Sequence, residues 1–534
     1  MTKILHFLMV LLAGSFDLGE SAKFLLPATS LLSMPSHYMS LTTITKALVE
    51  RGHEVVLLII DKKETKGFLP GSYTANITYP NPMTDEEIAY VYKIKGSAMS
   101  IMKNSTFLES VMDPRGRDFQ KMMYFGCFEL FKNEDTLRKL KQERFDMMLT
   151  FPVMDFCDAA IAAYLDVPYS LFTGTRRTPV FHEDMAGIPI PNSYVPFSSF
   201  TPLLTDRMNF LERVQNAFFH YGLHPIGEYF ITYRPLRQLQ RTYGIRQDLT
   251  AWQMITRAEI WLCHNTWALE YPRPIAPNWI PIPGLNIKEP IPLPEDLETF
   301  VQGSGEHGFI VFTLGSMTTS LASDAINDMF SKVFSELPQR VIWRYVGPSP
   351  RYLGNNTLIR DWLPQNDLLA HPKARLLIYH GGSGGVHEAI HYGVPMLLMP
   401  LAGDQGQNAD LVAAKGMGLV LDPNELDETI LKTTILDLLN EERYKANVMK
   451  GSGILRDRLT SPLDTAVFWI EHVVKFGGDH LRLRSTEMGF IQLNSLDVVA
   501  FVVVLSSILI YINYLIIRGC YRCICRKTRK QKSD

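Results

Sequence analysis

The residues best suited to chemistry lie between positions 361 and 410. They read Asp361-Trp362-Leu363-Pro364-Gln365-Asn366, then an apolar run, then His380-Gly381-Gly382-Ser383-Gly384-Gly385-Val386-His387-Glu388, and finally Gly403-Asp404-Gln405. Adjacent glycines that follow a strand and open a helix let backbone amides approach a phosphate, and the helix N-terminus adds positive potential there. A diphosphate is the ligand this arrangement suits. His380 can donate to it, Trp362 offers a face for a stacked base, and Glu388, one turn into the helix, can accept from both hydroxyls of a ribose. Asp404 and Gln405, on a loop after a strand, are suited to bonding a pyranose. Singly, each piece has a plainer meaning: a tight turn, a core tryptophan, a solvated helix glutamate. Spacing alone also leaves a dinucleotide-binding oxidoreductase open, because Gly382-x-Gly384 follows a strand. G-x-G-x-x-G is incomplete, however, with His387 at its sixth position.

Strands and helices must hold these groups. Residues 24–28 form a short apolar run, 36–50 have helical spacing, Arg51-Gly52-His53 stops the helix, and 55–60 is a continuous β-branched and aliphatic run. Strands without polar alternation are buried on both faces and belong to parallel sheets covered by helices. The same pattern recurs at 145–151, 155–165 and 169–173. It returns at 309–314, 324–337, 341–345, 376–379, 384–392 and 396–400. The expected fold class is α/β, with two doubly wound halves. Between them, residues 271–296 hold eight prolines in 26 positions, which excludes a central strand or a helix and predicts a stiff linker. Ligands of such sheets sit at the carboxyl ends of the strands, so the site is expected to face the cleft between the halves. The stretch 194–230, rich in Phe, Leu and Met, reads as core or as an apolar acceptor wall, with core the default.

The composition, 46% hydrophobic and 20% charged over 534 residues, provides for large cores. Lys and Arg number 53 against 55 Asp and Glu, a net charge of −2 that gives no basic field for nucleic acid. Residues 518–534 are basic, however, and residues 498–517 just before them carry no charge. Twenty helical residues reach about 30 Å, the thickness of a bilayer core; a buried helix is the alternative. At the other end, Lys3, an apolar stretch over 4–13 and small residues at Ser15, Ser21 and Ala22 have the layout of a secretory signal. Together they predict a single-pass type I membrane protein with a lumenal body and a basic cytosolic tail. Sequons at Asn76, Asn104 and Asn355 fit a lumenal body. Cys127, Cys157 and Cys263, odd in number and widely spaced, do not read as a disulfide framework, and Cys520, Cys523 and Cys525 below the membrane helix suggest palmitoylation.

These motifs resemble the UDP-dependent glycosyltransferases of animal endoplasmic reticulum, a family that includes UDP-glucuronosyltransferases and ceramide galactosyltransferase. The resemblance covers nearly the whole chain and takes in Trp362-Leu-Pro-Gln365-Asn366-Asp367, His380-Gly-Gly, Glu388, Asp404-Gln405, Glu306-His307-Gly308, Leu314-Gly315-Ser316-Met317, Val341-Ile-Trp-Arg344 and Leu204-Thr-Asp-Arg-Met208. The ceramide galactosyltransferase branch looks nearest over 194–214 and 292–309. The resemblance implies two Rossmann-like domains of the GT-B type facing a cleft, with one C-terminal transmembrane helix. Its boundaries would be a signal peptide over 1–22, an acceptor domain over 23–270, the linker over 271–296, a UDP-sugar domain over 297–450, C-terminal helices over 451–497, the membrane helix over 498–517 and a tail over 518–534.

It further implies that Trp362 stacks on uracil, Gln365 and Glu388 hold the ribose and His380 holds the diphosphate, with Ser316, Gly381, Gly382 and Gly384 also among the UDP-sugar-binding residues. Asp404 and Gln405 would hold the sugar. Glutamine at 405 looks like donors of the glucuronic acid or glucose type, with UDP-galactose open. The UDP-sugar is a co-substrate, and no metal is expected, since no Asp-x-Asp occurs in the chain. The expected partners are a UDP-sugar, a small lipophilic or sphingolipid-like acceptor and the endoplasmic reticulum membrane, with no nucleic acid and a homo-oligomer left open. The family's catalytic base matches His37, whose imidazole suits removal of a hydroxyl proton. Two departures stand out. Phe151 occupies the position of the base's usual Asp partner, leaving Asp155 as a substitute or as a plain helix cap, and Gly384 stands where the family usually has Asn. They keep a second class in view, a membrane-anchored binder that turns over slowly or not at all.

Overall fold

In the computed structural model the described residues are 21–30, 35–63, 65, 67–90, 124–151, 155–173, 179–197, 204–315, 324–401, 403–422 and 425–530. Most of the expected signal segment, Asn104 and Ser316 lie outside them, as do the side chains of Asp155, Cys523 and Cys525.

Continuous apolar runs form the strands. β1 (Lys23–Ala28) and β2 (Glu54–Ile60) pair in parallel, Lys23 opposite Glu54 and Ala28 opposite Ile59, and Phe24, Leu25 and Leu26 are wholly buried. The helix between them, α1 (Pro35–Glu50), buries Leu41, Ile44 and Leu48, the spacing of one helical face. β3 (Ala75–Tyr79), β4 (Met147–Thr150), β5 (Tyr169–Thr173), β6 (Ala258–Cys263) and β7 (Trp279–Pro281) complete a parallel sheet in the order β3-β2-β1-β4-β5-β6-β7, with α2 (Asp155–Leu165) joining β4 to β5. A second parallel sheet contains β8 (Phe309–Thr313), β9 (Arg340–Arg344), β10 (Thr357–Arg360), β11 (Ala374–Tyr379), β12 (Met396–Leu398) and β13 (Gly418–Val420), in the order β10-β9-β8-β11-β12-β13. It carries the helices α3 (Gln365–Ala370), α4 (Ser383–Tyr392) and α5 (Gln405–Ala414). The two doubly wound sheets expected from the sequence are present.

In both sheets the order reverses beside the first strand. β1 lies between β2 and β4, and β8 between β9 and β11. Connections leaving neighbouring strands at such a point diverge to opposite faces and open a crevice at the carboxyl ends. The loops after β1 and β4 lead to His37 and Phe151, and those after β8 and β11 hold Gly315 and His380.

Two expectations are corrected and one is refined. The Pro-rich segment holds no central strand but does contain β7, which pairs with β6 at the sheet edge; an edge strand donates on one side only, so Pro281 is tolerated. Cys127 and Cys157, 30 residues apart, form a disulfide with Cα atoms 5.9 Å apart, leaving Cys263 buried and free. Sequence spacing said nothing of this, because the pairing depends on α2 packing beside the helical turn at Cys127. Finally, Phe210, Leu211, Phe218, Tyr221, Tyr229 and Phe230 are exposed rather than core. They lie on a helical stretch over 210–243 with two π-helical turns, at Phe219–Leu223 and Tyr229–Tyr233.

Late in the chain, α6 (Pro462–Phe476) returns to the first sheet. Ser461 caps it by accepting from the Asp464 amide at 3.0 Å, Ala466, Val467, Ile470 and Val473 join the core of Phe24 and Leu26, and Glu471 pairs with Arg51 at 3.2 Å. Residues Met1–Arg482 form one compact unit and Leu483–Asp534 a second. The second contains the helix Leu496–Lys530, of which Leu496–Arg522 is long and apolar enough to cross a membrane. Within it Ser507 donates to the Val503 carbonyl and Asn513 to the Leu509 carbonyl, so these two polar side chains bond back to the helix itself.

Candidate active site

His37 lies in the first turn of α1, on the connection leaving β1. Its ring stacks on Phe151, with centroids 4.2 Å apart and planes 24° apart. The residue is half-buried, and desolvation lowers its pKa to about 4. At neutral pH it is uncharged and able to accept a proton. The adjoining turn is pinned by buried Lys63, whose ammonium donates to the carbonyls of Ala28 and Ser30 and to the Tyr38 hydroxyl at 2.9 Å. Asp155 opens α2.

In the second half, Trp362 follows β10 with 60% of its surface exposed, and the Arg344 guanidinium lies 5.4 Å from the centre of its ring. Gln365, at the start of α3, donates to the Glu388 carboxylate on α4 at 2.6 Å. The spacing 365–388 joins these two only because α3 and α4 pack together. Burial lifts the Glu388 pKa to about 7, against the opposing effect of the Gln365 bond. His380 directly follows β11, with its pKa lowered to about 3 by burial and its Nδ1 without a partner. Glycines make room for it. A Cβ on Gly315, at φ +77°, would meet the His380 ring at 2.3 Å, and one on Gly382 would meet it at 2.7 Å. Gly381, at φ +91°, passes equally close to the Gln405 carbonyl. At Gly384 a Cβ would meet nothing within 4 Å, so the site has open space where the resemblance leads one to expect an Asn.

Asp404 precedes α5, accepts from Asn408 at 2.9 Å and has its pKa raised to about 6 by burial. Gln405 is buried, and its carboxamide oxygen accepts from the Leu401 amide at 2.7 Å, which ties down the loop after β12. Ser316 lies outside the described residues.

The two halves meet through rings. Phe151 is 6.2 Å from Phe172, Phe172 is 5.2 Å from His264, and His264 is 5.5 Å from His387 on α4. His387 Nδ1 in turn lies 2.8 Å from the Ser383 carbonyl in the first turn of that helix. His264 also interacts electrostatically with His37. A run of packed rings thus connects the base candidate to the glycine-rich helix α4. Sequence reasoning missed His264, and it named Arg344 only within a motif, without its place over Trp362. His264 was findable, since it directly follows the apolar strand 258–263.

The profile of the family described as "UDP-glucoronosyl and UDP-glucosyl transferase" matches residues 29–532. The chain belongs to that family. As a UDP-glycosyltransferase it is an enzyme that takes a UDP-sugar as co-substrate. It is 36% identical over 527 residues to UDP-glucuronosyltransferase 1A1 of Rattus norvegicus, covering 97% of this chain and 95% of the relative. Identity to UDP-glucuronosyltransferase 2B15 of Homo sapiens is 33% over 537 residues, covering 99% and 98%. These relatives do not favour the galactosyltransferase alternative. Among solved structures, the calicheamicin glycosyltransferase CalG4 aligns with a TM-score of 0.57 at 15% identity, over 86% of this chain and 99% of that one. The spinosyn forosaminyltransferase SpnP aligns at 0.56 and 16%, over 86% and 100%. At that identity the likeness concerns the fold, two Rossmann-like domains of the GT-B type.

Proposed function

We propose that this glycosyltransferase is an inverting, metal-independent enzyme that moves a hexosyl group, glucuronic acid or glucose, from its UDP carrier to a hydroxyl of a lipophilic acceptor. The observation that supports the reading is the run of packed rings that links His37 on the first sheet to His387 on α4 of the second. In this reading Trp362 stacks on the uracil and the Gln365–Glu388 pair takes the ribose hydroxyls. The diphosphate rests against His380, Gly381, Gly382, Gly384 and the α4 amides, and Asp404 meets the sugar, with Gln405 shaping the loop beneath. His37 takes the acceptor's hydroxyl proton, the acceptor oxygen forms a bond to the anomeric carbon from the face opposite the phosphate, and the bond from the anomeric carbon to the phosphate oxygen breaks, its electron pair leaving with UDP. The product is a β-glycoside. Charge growing on UDP is met by fixed backbone dipoles, which need no reorganisation as the bond breaks.

A pKa of about 4 makes His37 a weak base in the free protein. The bound diphosphate brings negative charge into the same crevice, which favours imidazolium. Slow turnover remains a second reading, because the ring beside His37 is Phe151 rather than a carboxylate.

We further place the protein in the endoplasmic reticulum membrane, with one span at Leu496–Arg522 and a lumenal body. The Cys127–Cys157 disulfide suits an oxidising compartment, and exposed aromatic side chains on the 210–243 stretch suit work beside lipid.

The test is UDP release by the full chain in lipid nanodiscs, given UDP-glucuronic acid, UDP-glucose or UDP-galactose with a phenol or ceramide. Release that His37→Ala abolishes while UDP binding persists supports the proposal. UDP binding without release from any donor favours the slow or inactive reading.

A further inference from the structure

The proline-rich segment carries a polar side chain to the helix of His37. Ile282 and Leu285 bury in the core of the first sheet, and between them the chain turns back on itself at Gly284, whose carbonyl accepts from the Ile287 amide at 3.0 Å. Gly284 has φ +72°, and a Cβ there would meet the Ile287 side chain at 2.8 Å. The turn presents Asn286 to α1. Its carboxamide nitrogen donates to the Ser40 hydroxyl, which donates in turn to the Ser36 carbonyl at 3.2 Å. Ser36 and Ser40 bracket one turn of the helix, and His37 lies within it. The carboxamide oxygen of Asn286 is buried without a partner, so the bond to Ser40 is the only hydrogen bond this side chain makes among the described residues. An unsatisfied buried polar atom is costly, and contact with α1 is what the residue gains against that cost.

Two residues further on, the same segment is clamped by the helices of the proposed nucleotide pocket. The Lys288 carbonyl accepts from the Asn366 carboxamide on α3 at 3.1 Å and from the Tyr392 hydroxyl on α4 at 3.0 Å. The Lys288 amide donates to the Asn366 carboxamide oxygen at 3.4 Å, and the Ile291 amide donates to the Asp367 carboxylate at 3.2 Å. Asn366 directly follows Gln365, and Tyr392 lies one turn beyond Glu388, so the clamp sits beside the Gln365–Glu388 pair. The stretch 286–291 therefore bonds to α1 at one end and to α3 and α4 at the other. Pro283 precedes it and Pro290 lies within it, each with a fixed φ, which limits its freedom to absorb a shift.

We propose that Asn286 is a positioning residue for the transfer step: through Ser40 it fixes the first turn of α1, and with it His37, relative to the helices that hold the nucleotide. The inference rests on the proposed transferase reading and names what sets the place of its base. A reacting group displaced by about 1 Å can cost about 100-fold in rate, so the effect belongs in turnover more than in folding.

The test measures rates per UDP-binding site, counted by titration calorimetry, in full-length protein in nanodiscs with a phenol and the UDP-sugar that wild type turns over fastest. Counting sites this way leaves unfolded protein out of the rate. Asn286→Leu, close in volume, lowers kcat about tenfold or more, while the affinity for UDP and the KM for the UDP-sugar stay within about twofold. Ser40→Ala does the same by removing the other partner, and as the smaller change it carries the test where Asn286→Leu yields no UDP-binding protein. The double variant loses no more than the larger single loss, because both substitutions break one link. Unchanged kcat in the single variants overturns the inference and leaves the transferase intact. So does loss of UDP affinity in step with kcat, which marks a segment that shapes the pocket rather than the base, and so do losses that multiply in the double variant. Absence of turnover by wild type with every donor, or turnover that survives His37→Ala, defeats the transferase reading and the inference with it.

Discussion

The imidazole of His37 lies flat against the phenyl ring of Phe151, 4.2 Å between centroids. Phe151 follows β4, on the far side of the switch point from β1, which is where a carboxylate could orient the imidazole and stabilise its protonated form. A phenyl ring does the first by packing and cannot do the second. Phe151→Asp should therefore raise the pKa of His37 by one to three units, the usual effect of an adjacent carboxylate. The acid limb of the kcat/KM profile would move up by that amount. An unmoved limb in a folded variant would show that the two side chains are not coupled.

The wild-type pH profile should differ between the free and loaded enzyme. With His37 at about 4, kcat/KM should stay flat down to about pH 5 and fall below it. Because bound diphosphate favours imidazolium, the limb in kcat should lie at higher pH than the limb in kcat/KM. Coincident limbs would mean that the donor's charge does not reach the base.

Stability should respond to Glu388 in the opposite sense from His37. The folded pKa of Glu388, about 7, is above its usual value, so the folded apo protein holds a proton that the unfolded chain has released. Its contribution is complete below about pH 4.5 and is lost as pH rises through about 7. His37, depressed to about 4, contributes above about pH 6.5 and loses that contribution as pH falls through 4. Between pH 5 and 8 the melting temperature of the apo protein should fall less in Glu388→Gln than in wild type, as differential scanning fluorimetry would show. The same substitution should raise the KM for the donor about tenfold, through the ribose.

Gly384→Asn should tighten UDP binding. A side chain there enters open space, and replacing a glycine in a helix also removes up to about 1 kcal/mol of backbone entropy cost. Isothermal titration should show a gain of a fewfold with an unchanged or higher melting temperature. Gly315→Ala is the contrast. At φ +77° and against the His380 ring it should lower the melting temperature and abolish UDP binding together.

Removing the disulfide by Cys127→Ser should destabilise the body by about 2–4 kcal/mol, measured by urea denaturation against the same protein under reducing conditions. If reduced wild type and the variant do not coincide, the serine has an effect beyond the lost bond.

The sequence carried the elements that are buried on both faces, since β1, β2, β5, β8 and β11 are mostly apolar and flanked by helical spacing or glycine. It did not carry β3, β7 and β13, which lie at sheet edges and are short or half polar. The pocket half of the site was legible because His380-Gly-Gly and Glu388 are contiguous. His264 went unnoticed because it follows a strand, β6, that the sequence reading passed over. The Cys127–Cys157 bond and the outward face of the 210–243 stretch depend on which helices stack, and a single chain's periodicity does not encode that.

The return of α6 to the first sheet gives the molecule a topological property as well as packing. The polypeptide passes from the first doubly wound half to the second through the proline-rich segment and comes back before Ser461, so the halves are joined by two covalent strands rather than one. Two parallel tethers act like the leaves of a door hinge: they permit opening and closing of the crevice and oppose twisting about its axis. A single protease cut in the proline-rich segment should therefore leave both halves together in native electrophoresis, and register across the crevice should survive each cycle of substrate entry and product exit.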